Sequence, residues 1–179
     1  IVAPFTHLIE QWIDDLVKFN IEPIVGYSDK KYKNYRNDLK NKLIDFNEGI
    51  IDFACFITTN ASFKLDEVQD IVSKFPSDTL FIVDEAHNFG SQKLLFSLPK
   101  NIENRMALSA TISRHNDQEG TRKLYDYFGA KCIEYDLEKA INEKMLTEYE
   151  YYPIITNFEV DELDNYNRLT TEIAKFIRV

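Results

Sequence analysis

The chain has 179 residues, of which 44% are apolar and 13% aromatic, enough for one domain with a real core and a short appendage. Thirty acids against 21 bases give a net charge of -9, which argues against gripping nucleic acid by bulk electrostatics while leaving room for a local basic groove. No apolar run approaches the ~18 residues that suggest a membrane span, so no membrane role is expected. Cys55 and Cys132 lie far apart, without Cys-x-x-Cys or Cys/His spacing for zinc, so a reducing, cytoplasmic setting and packing roles are expected for both. Ile1 falls inside what reads as a strand, with no initiator Met or signal peptide, and the chain is expected to be a piece of something longer.

In chain order, Ile1 to Ala3, Pro23 to Val25, Phe53 to Thr58, Leu80 to Val83, Met106 to Leu108 and Cys132 to Tyr135 are short apolar clusters. Most do not alternate with polar residues, the pattern of strands covered on both faces. Segments of helical period lie between them. Leu8, Ile9, Trp12, Ile13, Leu16 and Val17 form one apolar stripe, with Thr6 placed to cap its first turn. Further helices are predicted over 33–46, 66–75, 118–128 closed by Gly129, and 137–145 opened by Asp136. The alternation of strand and helix over the first ~145 residues predicts an α/β parallel sheet with helices on both faces.

From Tyr149 the pattern changes to a β-prone aromatic stretch ending at Phe158. A helix over 161–177 follows, with Leu163, Tyr166, Leu169, Ile173 and Ile177 on one side. This tail reads as a connector. Residues 136–164 carry nine acids and two bases, and residues 29–42 carry six bases and two acids.

The chemistry concentrates where the strand at Leu80 to Val83 stops in Asp84-Glu85-Ala86-His87. In open parallel sheets ligands sit beyond the carboxyl ends of strands. Asp84 suits Mg²⁺, a hard ion that keeps most of its waters and needs only one or two carboxylates. Glu85 suits the general base that orients and deprotonates an attacking water, and His87 a sensor of the nucleotide state. The next strand ends in Ser109-Ala110-Thr111, 25 residues after Asp84, and two hydroxyls there can bond the acidic site and act as a relay.

On Asp84-Glu85-Ala86-His87 followed by Ser109-Ala110-Thr111, the chain resembles superfamily 2 helicases and translocases, in the DEAH-type branch of repair helicases and restriction-enzyme motor subunits. The resemblance implies a RecA-like fold of the P-loop NTPase type, ATP and Mg²⁺ as cofactors, and hydrolysis coupled to movement on nucleic acid, DNA rather than RNA. It implies Asp84 as the metal ligand, Glu85 and His87 as catalytic residues, and Ser109 and Thr111 as coupling residues. Val2-Ala3-Pro4 with His7, Leu8, Gln11 and Trp12 is similar to the family's motif Ia, which implies strand contacts at Pro4 and Thr6. Thr58-Thr59-Asn60 lies where the family carries a second strand-contacting threonine, which implies Thr59. Lys139 to Leu146 with Tyr149 to Ile154 is similar to the family's passage between motor domains. On this resemblance 1–156 is a first motor domain and 157–179 leads to a second. Nuclease or methylase subunits are possible partners, and a non-catalytic binding module is the alternative. The sequence departs from the pattern in one respect: none of its five glycines begins or ends a Gly-x-x-x-x-Gly-Lys run, so the fold is expected to be truncated before the P-loop strand.

Plainer readings stand beside several of these. Ser109 and Thr111 can also cap the next element. Trp12 reads as core rather than base-stacking. Tyr27, Tyr32 and Tyr35 interleaved with Lys30, Lys31, Lys33 and Arg36 can be a phosphate-contacting patch or a solvated helix face. His7 and His115 have no partners at metal spacing and read as surface or capping residues.

Overall fold

In the computed structural model, residues 1–114 and 116–177 are described, so His115 lies outside the described residues, as does the side chain of Ile177. The chain divides into two compact units, Ile1–Lys131 and Cys132–Val179. The first unit runs β1 (Val2–Ala3), α1 (Thr6–Lys18), β2 (Ile24–Gly26), a 3₁₀ turn (Lys30–Tyr32), α2 (Tyr35–Asn47), β3 (Phe56–Thr59), α3 (Asn60–Phe63), α4 (Asp66–Val72), β4 (Leu80–Asp84), a second 3₁₀ turn (Ala86–Gly90), α5 (Gln92–Leu95), β5 (Asn104–Leu108) and α6 (Gln118–Phe128). The five strands are all parallel in the order β2-β3-β1-β4-β5. This is the α/β RecA-like fold.

Both faces of the sheet are covered, which is why its strands read as apolar runs rather than as alternations. On one face Ala3, Ile9, Val25 and Ile57 are buried, with Leu8, Trp12 and Ile13 of α1 packed against them. On the other face Val2, Phe63, Val68, Val72, Phe81, Val83, Phe89, Ile102 and Leu124 form the larger core. Phe63 stacks on Phe81 with ring centroids 5.5 Å apart and meets Phe89 at 6.1 Å. Cys55 is half-buried, and burial pushes its thiol up from the ordinary value, as suits an inert packing residue. Cys132 is exposed, which corrects the expectation that both cysteines pack.

Helix ends follow local chemistry. The Asp117 side chain accepts from Gly120 N–H and opens α6, and Gly129 at φ 89° closes it, the latter as expected from the sequence. The cap of α1 differs from expectation. Phe5 occupies the N-cap with extended backbone and no side-chain bond, because its carbonyl takes the amides of Leu8 and Ile9, and Thr6 is the first helical residue. α4 stops at Val72, short of 75, because Lys74 and Phe75 turn back onto Ile71 and Val72 and Pro76 follows.

The second unit holds α7 (Leu137–Asn142) and α8 (Val160–Ile177). Asp136 caps α7 through Lys139 N–H at 2.8 Å, and Lys144 at φ 58° turns the chain out of it, so the helix is shorter than 137–145. Cys132 to Tyr135 is not a strand, nor is the stretch from Tyr149 to Phe158. High β-propensity makes no strand without a ladder partner, and neither stretch pairs with any described strand. On α8, Leu163, Tyr166, Leu169 and Ile173 are exposed. No helix among the described residues is long and apolar enough to cross a membrane.

Candidate functional site

The register brings the predicted residues to one edge of the sheet. Gly26, Thr58, Val2, Val83 and Ala107 form a row across the five strands. One step beyond this row stand Thr59, Ala3, Asp84 and Leu108, and after them Pro4, Glu85 and Ser109 leave the carboxyl ends. A parallel sheet makes this convergence automatic, since every strand points the same way.

Asp84 is half-buried and holds two hydrogen bonds. Its Oδ1 accepts from Glu85 N–H and its Oδ2 from the indole Nε1–H of Trp12, each at 2.9 Å. The second bond lay outside any sequence signal. Trp12 is half-buried against the smaller core, as the periodicity of its helix predicts, with its polar edge on Asp84.

Glu85 adopts φ 49°, ψ 49°, a left-handed conformation that a residue with a Cβ takes at a cost of about 1–2 kcal/mol. The kink turns the chain from β4 into the Ala86–Gly90 turn. The Glu85 carbonyl then accepts from Asn88 N–H and Asn88 Nδ2, both at 3.0 Å. Strain at such a residue is one signature of a functional position.

His87 and Ser109 meet across the two strand ends, with Nδ1 to Oγ at 3.1 Å. Ser109 Oγ donates to the Thr111 carbonyl at 2.9 Å, and His87 Nδ1 lies 3.3 Å from Glu85 Oε2. With the serine proton committed to that carbonyl, the network assigns the proton to Nδ1, where serine and carboxylate both accept it. Asn88 Nδ2 lies 3.4 Å from Nε2, the remaining acceptor. Thr111 joins this network through its backbone carbonyl, and its side chain is exposed.

A second layer holds the turn. Arg114 donates from Nη1 to the His87 carbonyl and from Nε to Asp117 Oδ2 at 2.7 Å. Its own N–H donates to Thr121 Oγ1 at 2.9 Å. Sequence reasoning missed Arg114. Its spacing from Asp117 is a usable signal, but the contact with His87 spans 27 residues and is tertiary.

The predicted strand-contacting residues fare differently. Pro4 is half-buried and Thr6 exposed at the same edge. Thr59 is buried, and its hydroxyl accepts from Ser62 N–H at 3.3 Å as the cap of α3. His7 is exposed and stacks on Phe5 with ring centroids 5.6 Å apart. The basic, tyrosine-rich stretch follows the carboxyl end of β2 and lines a pocket of about 400 Å³ that includes Tyr27, Lys30, Lys33, Tyr35 and Arg36. Part of its charge is spent: Arg36 Nε pairs with Glu67 Oε2 at 2.8 Å, and Lys31 lies over the Tyr32 ring. The larger cavity, about 490 Å³ and apolar, lies at the opposite, amino ends of the strands around Ile1, Ile24, Cys55 and Leu80, away from the acidic turn.

The donor set fits Mg²⁺ in one way only. Asp84 supplies a fixed, hard carboxylate, and no group of three or more His, Cys, Asp or Glu that could form a protein cage occurs among the described residues. A magnesium ion here would take its remaining shell from water and nucleotide phosphates, and when bound it would neutralise charge on those phosphates. The backbone cradle for the phosphates is not written in these residues, since the chain contains no Gly-x-x-x-x-Gly-Lys run.

An all-parallel sheet with an acidic turn at one strand end, bonded to a serine at the next, defines a superfamily 2 helicase-type motor domain, of the ATP-dependent helicase and NTPase kind. Residues 1–114 match the family described as type III restriction enzyme, res subunit, and the chain belongs to that family. No curated protein matches the chain closely enough to count as a relative.

Proposed function

We propose that the chain is the core of the first motor domain of a DEAH-type DNA helicase or translocase that couples ATP hydrolysis to movement on, or unwinding of, DNA. In this reading Asp84 binds Mg²⁺, Glu85 orients and deprotonates the attacking water, and His87 with Ser109 and Thr111 carries the nucleotide state to the rest of the motor. Residues 1–156 belong to that domain, and 157–179 lead toward a second RecA-like domain. Pro4 and Thr6 face the strand directly, and Thr59 contributes by holding the turn of α3.

The observation that carries the reading is the His87–Ser109 bond, because it joins the turn bearing Glu85 to the neighbouring strand end through a group that can exchange partners. Family membership supports a restriction-modification motor, with nuclease or methylase subunits as partners. The second reading is a helicase-like module that binds partners without hydrolysis, and a Gly-Lys-Ser/Thr phosphate loop in the native polypeptide upstream of Ile1 would count against it.

Nucleic-acid-stimulated ATPase of the native polypeptide carrying this chain separates the two. Single-stranded DNA, duplex DNA and RNA serve as separate activators. In the motor, Glu85→Gln lowers turnover about 10²-fold or more and leaves ATP affinity near normal, since a general base contributes roughly 10²–10⁴. Near wild-type turnover removes Glu85 from its role, and no stimulated hydrolysis in the wild type favours the binding module.

A further inference from the structure

The two bonds to the Asp84 carboxylate have different origins. The amide of Glu85 is its chain neighbour and approaches Oδ1 as part of the turn. The indole of Trp12 comes from α1, 72 residues away in sequence, and approaches Oδ2. A carboxylate held at one oxygen retains freedom about its last torsion, which is broad for this side chain. Held at both, it is fixed in plane. Indole N–H is a donor only, so the bond can serve just one purpose, to hold an acceptor.

Trp12 is itself constrained. Its ring packs against the cluster of Ala3, Ile9, Val25 and Ile57, beneath a 13-residue helix. The indole therefore moves with α1 as a body. Thr6 opens that helix six residues upstream, about 9 Å along the axis at 1.5 Å per residue.

We propose that Trp12 is a positioning residue that sets the orientation of the Asp84 carboxylate and passes displacements of the first turn of α1 to it. The positioning half stands on the hydrogen bond alone. The transmission half rests on the proposed strand contact at Pro4 and Thr6. Together they would place a link between nucleic acid and metal ligand at Asp84 Oδ2, separate from the His87–Ser109 bond.

Trp12 is the sole tryptophan, so the nitrogen-15-labelled 179-residue chain gives one indole N–H resonance. The expected results are a proton shifted downfield and protected from exchange with water in the wild type, and an upfield move in Asp84→Asn, with a melting curve showing that the variant is folded. A rapidly exchanging indole proton in the wild type overturns the positioning role without recourse to any variant, as does an unmoved resonance in a folded Asp84→Asn. For transmission, a single-stranded oligonucleotide is added while its binding is followed by fluorescence anisotropy. A shift of the resonance in the wild type that is lost or reduced in Asp84→Asn supports the link. Binding with no shift, or with equal shifts in both proteins, overturns transmission while the nucleic-acid reading stands. No binding at all overturns that reading and transmission with it, and leaves the positioning result intact.

Discussion

Gly120 sits in the first turn of α6, a helix position where alanine is ordinarily worth about 1 kcal/mol more than glycine. Here Gly120→Ala is expected to destabilise. Gly120 is buried, and a Cβ there would stand 2.7 Å from the Gly90 carbonyl oxygen and 2.8 Å from Asp117 Cγ, and closer still to Asp117 Oδ2. The Gly90 carbonyl is backbone at the end of the turn that carries His87, so it cannot swing aside as a side chain can. Overpacking of this kind costs about 1–3 kcal/mol, and displacing the Asp117 cap costs about 1 more, against the ~1 regained in propensity. The net is about 1–3 kcal/mol of destabilisation, or roughly 2–12 °C in melting temperature for a domain of this size. Thermal melts followed by circular dichroism measure it. A second comparison locates the cause: if Gly120→Ala acts partly through the cap, combining it with Asp117→Ala must cost less than the sum of the two. An unchanged or raised melting temperature in Gly120→Ala means that the helix and the acidic turn are not in close contact, and the reasoning about the second layer fails.

Tyr127 donates to the Pro99 carbonyl at 2.6 Å, and burial, opposed by the nearby Arg105 guanidinium, pushes its hydroxyl up to about 12. Because the folded value lies above the unfolded one, its contribution, about 1–2 kcal/mol after allowing for partial exposure, is complete below pH ~10 and lost as pH rises through 12. Tyr127→Phe should show a shallower stability loss between pH 10 and 12 than the wild type in urea titrations, and identical slopes would contradict this. The 179-residue chain by itself should neither hydrolyse ATP nor gain thermal stability from millimolar Mg-ATP, whereas a ligand at 100 times its dissociation constant adds ~2.7 kcal/mol. A clear upward melting shift would reveal a nucleotide site elsewhere in these residues. In the native polypeptide, replacing both Ser109 and Thr111 by Ala should keep most of the stimulated ATPase and impair translocation or strand separation, since the bonds of the Ser109 hydroxyl to His87 and to the Thr111 carbonyl are worth only ~0.5–1.5 kcal/mol each. Proportional loss of both activities, in a protein that still melts normally, assigns the hydroxyls to hydrolysis or to the fold.

Much of the site was legible in sequence because its determinants are local. The apolar run from Leu80 needs both faces covered whatever lies beside it, and the acidic turn after it lands at a carboxyl end in any parallel sheet. Asp136 and Gly129 declare helix ends because caps and left-handed exits involve residues within four positions of each other. Tertiary structure decided what depends on distant partners. Cys132 to Tyr135 has the composition of a strand and joins no ladder among the described residues. Thr59 has the hydroxyl of a ligand-contacting residue, but α3 turns back on it and takes that hydroxyl as a cap. The bond from Trp12 to Asp84, the bond from Arg114 to the His87 carbonyl and the absence of room at Gly120 span 72, 27 and 30 residues. Such contacts leave no periodicity or spacing behind them, because they arise only when the order β2-β3-β1-β4-β5 sets α1 and α6 against the acidic turn.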